Sequence, residues 1–176
     1  MTIELLSVRA QDLDGNLGFQ VYRLLRDAFP DDGPNEGDYY RAVSTPDTIL
    51  ILRDADGVFA HLGVYLRTVA IGDATEEIGM LGGIAVAPER RRAGHARCLI
   101  ESAHDILRQR GVTFSVLFAV EPRLYVSSGY RLMQNETRFI EPDGTPRTLV
   151  YRGSMFAELG ARKWPNLLLD LRGKTV

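Results

Sequence analysis

The residues best suited to chemistry lie between Gly83 and Arg97, in the run GIAVAPERRRAGHAR. A hydrophobic segment ends at Val86, Pro88 and Glu89 turn the chain, and a basic loop leads through Gly94 into an amphipathic stretch. The first turn of a helix leaves backbone N–H groups without acceptors and carries partial positive charge. It is therefore a ready site for phosphates. A glycine lets the backbone come close to such a ligand. Arg91, Arg92 and Arg97 can add charge-assisted hydrogen bonds, and His95 offers its backbone N–H. The loop fits neither G-x-x-x-x-G-K-[ST] nor G-x-G-x-x-G, so the signatures of triphosphate and dinucleotide sites are absent. The alternative to a phosphate cradle is a basic surface turn ahead of a core helix.

A second candidate lies at Pro122-Arg123-Leu124-Tyr125-Val126-Ser127-Ser128-Gly129-Tyr130. A phenol is protonated at pH 7 and can give up one proton in a dry site. Tyr125 is thus either a general acid or a core tyrosine whose hydroxyl is satisfied.

Arg91, Gly94 and Ala96 fill the fixed places of [QR]-x-x-G-x-[GA], directly after the strand end Ala85-Val86-Ala87-Pro88. The combination resembles the coenzyme A pyrophosphate loop of the GNAT superfamily of N-acetyltransferases. The segment 122–130 resembles that family's later segment, in which a tyrosine-bearing helix ends at Gly-[FY]. The resemblance spans about residues 3–152 and is specific at 83–97 and 122–130.

It implies an α/β fold of the α+β kind: a mixed, mostly antiparallel, splayed sheet flanked by helices. The pantetheine arm would enter between diverging strands 77–87 and 113–120. It implies acetyl-coenzyme A as cosubstrate, no metal, and direct transfer of the acetyl group to a primary amine. The cofactor-binding residues implied are Ile84, Ala85, Val86, Arg91, Arg92, Ala93, Gly94, His95, Ala96 and Arg97. Backbone N–H groups from Ile84 to Val86 would pair with the pantetheine and polarise the thioester carbonyl. Tyr125 would protonate the departing thiolate, and the protein's remaining task is to keep the attacking amine neutral.

Val58-Phe59-Ala60-His61-Leu62-Gly63 and the ending Trp164-Pro165 … Asp170-Leu171-Arg172-Gly173 look similar to two branches of that superfamily. One is the aminoglycoside 2′-N-acetyltransferases, in which an Asp-containing tail folds into the acceptor pocket. The other is the nodulation N-acyltransferases. Both act on an amine carried by a sugar, so a small-molecule amine, an aminoglycoside or another amino sugar, is the acceptor implied. Residues 155–176 would then cover the acceptor pocket of a single 1–176 domain. The sequence departs from the first branch at Gly82, where that branch has a strand glutamate acting as a water-relayed base. Glu76 lies about 20 Å away along a strand at ~3.3 Å per residue, too far to replace it. The base stays open between another carboxylate, His61 and a water chain.

On the acceptor side, Asp32 and Glu36, with Asp31 and Asp38, form an acidic loop that would attract a cationic amine or be plain solvated surface. Asp170 is a further candidate against the alternative of a mobile tail. The missing side chains of Gly79, Gly82 and Gly83 could make room for a longer acyl chain. Transfer from a longer acyl donor, or a non-catalytic acyl-coenzyme A-binding regulatory module, are the competing functions. Trp164 is core or pocket wall. His104 reads as surface, and Cys98 as packing rather than nucleophile. No His or Cys has partners at metal-ligand spacing.

These residues need elements to hold them. Leu17, Val21, Leu24, Leu25 and Ala28 recur at helical spacing, and Pro30 to Pro34 stop that helix. A second short helix is expected over 38–43. Thr48–Leu52 and Val58–Val69 read as a hairpin around Asp54-Ala55-Asp56-Gly57, and Gly72-Asp73 turns into a strand over 77–86. Ala96, Leu99, Ile100, Ala103, Ile106 and Leu107 stripe a helix over 94–110 that Gly111 closes. Strand 113–120, a short helix over 122–128, and a pair formed by 130–139 and 148–152 follow. The tail from Phe156 onward reads as less regular.

The chain has 176 residues, 45% apolar and 25% charged, with a formal net charge of −2. That balance gives no general attraction for nucleic acid or a membrane surface. One cysteine, no basic and apolar leader, and no long apolar run predict a cytoplasmic protein. The family resemblance implies a homodimer.

Overall fold

The computed structural model describes residues 2–13, 15–31 and 44–176. Its strands are β1 (Glu4–Val8), β2 (Thr48–Asp54), β3 (Gly57–Ile71), β4 (Ala74–Val86), β5 (Phe114–Phe118), β6 (Arg131–Leu132), β7 (Thr137–Ile140), β8 (Pro146–Leu149), β9 (Ser154–Glu158) and β10 (Leu169–Asp170). Its helices are α1 (Gly15–Ala28) and α2 (His95–Gln109). The strand order is β6-β9-β5-β4-β3-β10-β7-β8, with β2 pairing β3 and β1 pairing β2. Pairs β4/β5 and β10/β7 are parallel, while β1/β2, β2/β3, β3/β10, β5/β9, β6/β9 and β7/β8 are antiparallel. The sheet is therefore mixed and mostly antiparallel. The short helix expected over 38–43 lies outside the described residues.

Two compact units divide the chain: Met1–Tyr65 with Leu81–Ala103, and Leu66–Met80 with His104–Val176. In the first, α1 turns Val21, Tyr22 and Leu25 inward against Ile49, Ile51 and Ala85. Val21 and Leu25 are four residues apart and share one helix face. The same unit holds the β2–β3 hairpin, whose two-residue loop Ala55-Asp56 sits between the paired Asp54 and Gly57. Gly57 takes φ 119°, a value that glycine reaches without a Cβ clash. Leu99, Ile100 and Ala103 on α2 are fully buried, as the helical stripe requires.

In the second unit, β5 is buried along most of its length and pairs over five residues with β9. Sequence reading leaves the tail irregular, yet Ser154–Glu158 is a sheet strand and Leu169–Asp170 sits between β3 and β7. Five residues and two residues are too short for periodicity to register; their pairing is tertiary. Likewise 130–139 is two strands, and the expected antiparallel pair forms between β7 and β8, meeting the 148–152 segment at Thr148 and Leu149 only. The segment 122–128 forms two single 3-10 turns in place of an α-helix. The end of α2 follows expectation: Gly111 has φ 76°, and the Val112 N–H reaches back to the Leu107 carbonyl at 3.0 Å.

Candidate functional site

Strand β4 changes character at Gly83, whose φ of 58° takes it out of extended geometry. The Gly83 carbonyl accepts a hydrogen bond from His61 Nδ1 at 2.7 Å. A Cβ at position 83 would lie 3.2 Å from the His61 ring and 3.6 Å from Leu25. The glycine is needed for both conformation and space. Beyond the break Ala85 turns into the α1 core, so Ile84 and Val86 face the other way. The Ala87 N–H donates to the Phe59 carbonyl at 2.8 Å and ends the strand.

The loop that follows is clamped from below. Arg90 Nη2 lies 2.7 Å from Asp54 Oδ2, and its guanidinium sits 5.2 Å over the Phe59 ring. The Asp54 side chain is 1% exposed. Its Oδ1 accepts the Asp56 N–H at 2.9 Å, while Oδ2 faces Arg90 at ion-pair distance without hydrogen-bond angles. Two opposite charges at that separation attract at any angle, so the pair is ionic. Arg90 also donates to Asp56 at 3.2 Å. Of the arginines in this basic run, Arg90 is thus committed to structure. The Asp54-x-Asp56-Gly57 turn was legible in sequence, but only as a turn; nothing in it announced Arg90 as the partner.

Arg91 Nε donates to the Val86 carbonyl at 3.0 Å, which folds the loop back on the strand end. Arg92 and Gly94 have φ of 64° and 81°, with Ala93 between them outside that region. Alternating handedness turns successive N–H groups to one side and makes an anion-binding concavity. An arginine with positive φ is uncommon and sits where structure demands it. The first hydrogen bond of α2 runs from the Cys98 N–H to the Gly94 carbonyl at 2.9 Å, leaving the N–H groups of His95, Ala96 and Arg97 without intrahelical acceptors. A Cβ on Gly94 would meet nothing within 4 Å, so conformation alone calls for glycine there. The His95 ring packs edge-on against Phe59 at 4.9 Å, and its backbone N–H is what it offers the loop. Arg97 pairs with Glu101 at 2.7 Å, both more than half exposed, an ion pair that an incoming anion can exchange. The donor set, amide N–H groups plus exposed guanidinium groups, suits a diphosphate. Beside the loop, Val86 and Arg91 line a cleft of about 520 Å3 with Gln20, Arg23 and Asp27 of α1.

Tyr125 belongs to the second unit. It links the turns Pro122–Leu124 and Val126–Ser128, which Gly129 closes with φ 86°. Burial raises its hydroxyl above the usual phenol value, so it keeps its proton at neutral pH. Its ring meets Tyr130 edge-on at 6.3 Å. Tyr130 anchors a buried polar cluster, 2.6 Å from Ser115 Oγ and 3.0 Å from His104 Nε2. Burial also pushes the Tyr130 hydroxyl strongly upward. His104 is therefore core, 5% exposed, and not the surface residue that helix position suggests. The buried stripe of α2 is wider than its apolar residues, because Tyr130 supplies a polar partner.

Other expectations resolve residue by residue. His61 is fully buried, and burial lowers its pKa to about 4. A ring held neutral, with Nδ1 committed to Gly83, has no role as a solvent-linked base. Cys98 is exposed instead of packed, because it lies off the stripe of Leu99 and Ala103. Trp164 is packing: it stacks on Phe156, meets Phe114 edge-on, and donates Nε1–H to Asn135 at 2.8 Å. Asp170 already pairs with Arg138 at 3.3 Å and accepts the Arg172 N–H at 2.9 Å. Glu76 is held by Arg162 and Thr113. A Cβ on Gly79 would sit 2.3 Å from Leu107, so the helix side chain fills the space left by that glycine. Gly82 is buried. Asp32, Glu36 and Asp38 lie outside the described residues. No described helix is long and apolar enough to cross a membrane.

Solved structures of known proteins share the fold. The fold matches a GNAT-family acetyltransferase of Brucella melitensis solved with acetyl-CoA, at a TM-score of 0.63 and 19% identity, over 96% of this chain and 94% of that one. It also matches a GNAT-family N-acetyltransferase of Escherichia coli solved with CoA, at a TM-score of 0.66 and 17% identity, over 97% and 91%. Nodulation protein A of Sinorhizobium fredii is 35% identical over 102 residues, 58% of this chain and 50% of the relative. Nodulation protein A of a Mesorhizobium strain is 31% identical over 82 residues, 47% of this chain and 41% of the relative. The chain thus spans about half the length of the curated relatives it matches, or less. Residues 18–133 match the acetyltransferase (GNAT) domain, a stretch that holds both the β4–α2 loop and Tyr125, and the chain belongs to that family of acyltransferases.

Proposed function

We propose that this protein is an N-acyltransferase that takes acetyl-coenzyme A and moves the acetyl group directly to the primary amine of a small molecule. The observation that carries the reading is the alternating turn at Arg92 and Gly94, with the N–H groups of His95, Ala96 and Arg97 lacking intrahelical acceptors at the start of α2. Bound acetyl-coenzyme A supplies the activated acyl group. The loop holds the diphosphate, the N–H groups from Ile84 to Val86 polarise the thioester carbonyl, and Tyr125 gives its proton to the leaving thiolate. An acetyl group is favoured over a longer chain because two of the three glycines that could open an acyl channel, Gly79 and Gly83, face Leu107 and the ring of His61. The similarity to nodulation protein A and the Trp164-Pro165 … Asp170-Leu171-Arg172-Gly173 ending favour an amino sugar as acceptor. A cytoplasmic homodimer is part of the same proposal.

Calorimetry with acetyl-coenzyme A tests the reading, followed by a panel of amines that includes aminoglycosides, with free thiol recorded. Binding followed by thiol release with one amine class is the expected result. Absence of binding sinks it, and binding without release for every amine favours the longer donor or the regulatory module. Tyr125→Phe is expected to lower turnover about 100-fold while coenzyme A binds as before. Unchanged turnover would remove Tyr125 from the acid role.

A further inference from the structure

His61, a candidate base by sequence, lies in the first unit on β3. Its register partner on β2 is Ile51, so the ring lies on the face that packs under α1. There it is fully buried and meets the Gly83 carbonyl at 2.7 Å. A carbonyl oxygen carries no proton, so Nδ1–H must be the donor. The burial that keeps the ring uncharged is consistent with this tautomer.

The hydrogen bond has a consequence one peptide further on. Just past the end of β4 the Ala87 N–H bonds to the Phe59 carbonyl of β3, while Gly83, inside β4, takes a φ of 58°. There the Gly83 carbonyl is met by a side chain of β3. Among the described residues every peptide bond is trans. In a trans peptide, C=O and N–H point in opposite directions. Fixing the Gly83 carbonyl toward His61 therefore fixes the Ile84 N–H away from β3 and from the α1 core. Donation to the carbonyl also polarises the same amide and strengthens its N–H as a donor.

We propose that His61 is a positioning residue for acyl transfer: its Nδ1–H locks the Gly83–Ile84 peptide so that the Ile84 N–H is presented to the thioester carbonyl. This rests on the acetyl-coenzyme A reading above. His61 touches neither the acyl group nor the coenzyme; it acts through one peptide. A preset donor aimed at the site of developing negative charge needs no reorganisation when the reaction occurs.

The test follows acetyl-coenzyme A labelled with 13C at the carbonyl. In the wild type, the carbonyl resonance is expected to move downfield on binding. His61→Leu is expected to bind coenzyme A with unchanged affinity, lose most of that shift, and turn over about 100-fold more slowly. His61→Asn, whose amide N–H can reach the same carbonyl, is expected to recover most of both. A purely structural role would weaken binding and stability together and leave the carbonyl shift of the bound fraction intact; that pattern overturns the proposal. A His61→Leu variant that fails to fold leaves two readouts, the Asn variant and the ring itself. In the wild type, 15N spectra should show the Nδ1–H tautomer with a slowly exchanging proton. An Nε2–H tautomer refutes the hydrogen bond outright. Failure of the wild type to bind coenzyme A instead refutes the acyltransferase reading, and with it the role at the thioester, while the tautomer result stands by itself.

Discussion

Gly83→Ala separates backbone strain from packing, because Gly94 provides its control. Both glycines have positive φ, 58° and 81°. An L-residue held in the left-handed region costs about 1–2 kcal/mol, and both alanine variants carry that cost. They differ in surroundings. The new methyl at 94 meets nothing within 4 Å, whereas at 83 it lies 3.2 Å from His61 Cε1 and 3.6 Å from Leu25 Cδ2. His61 and Leu25 are both 0% exposed, so neither can swing into solvent. Overpacking of this kind adds about 1–3 kcal/mol. Gly83→Ala should therefore lose about 2–5 kcal/mol in all. At roughly 2–4 °C per kcal/mol for a chain of this size, Gly94→Ala should lower Tm by about 2–8 °C and Gly83→Ala by several degrees more. Thermal unfolding followed by circular dichroism measures both. Equal shifts for the two variants would mean that the His61 ring does not fill the space behind Gly83. No shift for Gly83→Ala would mean that the break in β4 is absent.

Removing the cation at position 90 leaves the Asp54 carboxylate buried without its counter-charge, so Arg90→Ala should cost about 3 kcal/mol in urea unfolding, and the variant Arg90→Met with Asp54→Leu should recover much of it. Wild-type stability in place of this loss would refute the clamp under the loop. Stability should also depend on pH through His61. Its pKa is about 4 folded against 6.5 for an ordinary imidazole, so the unfolded chain takes up a proton that the folded chain refuses. Stability is then full above about pH 6.5 and falls as pH drops toward 4, by at most roughly 3 kcal/mol. Urea midpoints from pH 7 to 4 should show the fall, and His61→Asn should flatten it. Glu158, whose carboxyl the Trp164 N–H holds below its usual value, adds a further loss only at lower pH and leaves the upper window to His61.

Much of the fold was legible because its elements are long and their side chains periodic. The stripe Leu99, Ile100, Ala103, Leu107 marks a helix in any context, and Gly111 marks its end. Asp54 to Gly57 marks the turn of a hairpin. The run Ala85 to Ala96 carries the proposed phosphate loop, whose properties are local: a strand end, a turn, a glycine and a helix start within a dozen residues. Free N–H groups at a helix start follow from the backbone and need no distant partner.

What stayed hidden depended on partners far away in the chain. The strands Ser154–Glu158 and Leu169–Asp170 are too short to show a period and exist because β5, β3 and β7 offer ladders to them. His104 looked like surface until Tyr130, 26 residues on, satisfied it in the core. Arg90 looked like one more basic residue of the loop until Asp54, 36 residues earlier, claimed it. His61 gave no sign that it faces Gly83, because no local pattern shows which carbonyl 22 residues away a β3 side chain will meet. The sequence by itself determined where the proposed anion-binding loop lies and the glycines that it needs. Only the tertiary structure decided which charges that loop keeps for a ligand, since ion pairs and buried hydrogen bonds form between residues whose separation in space no local pattern encodes.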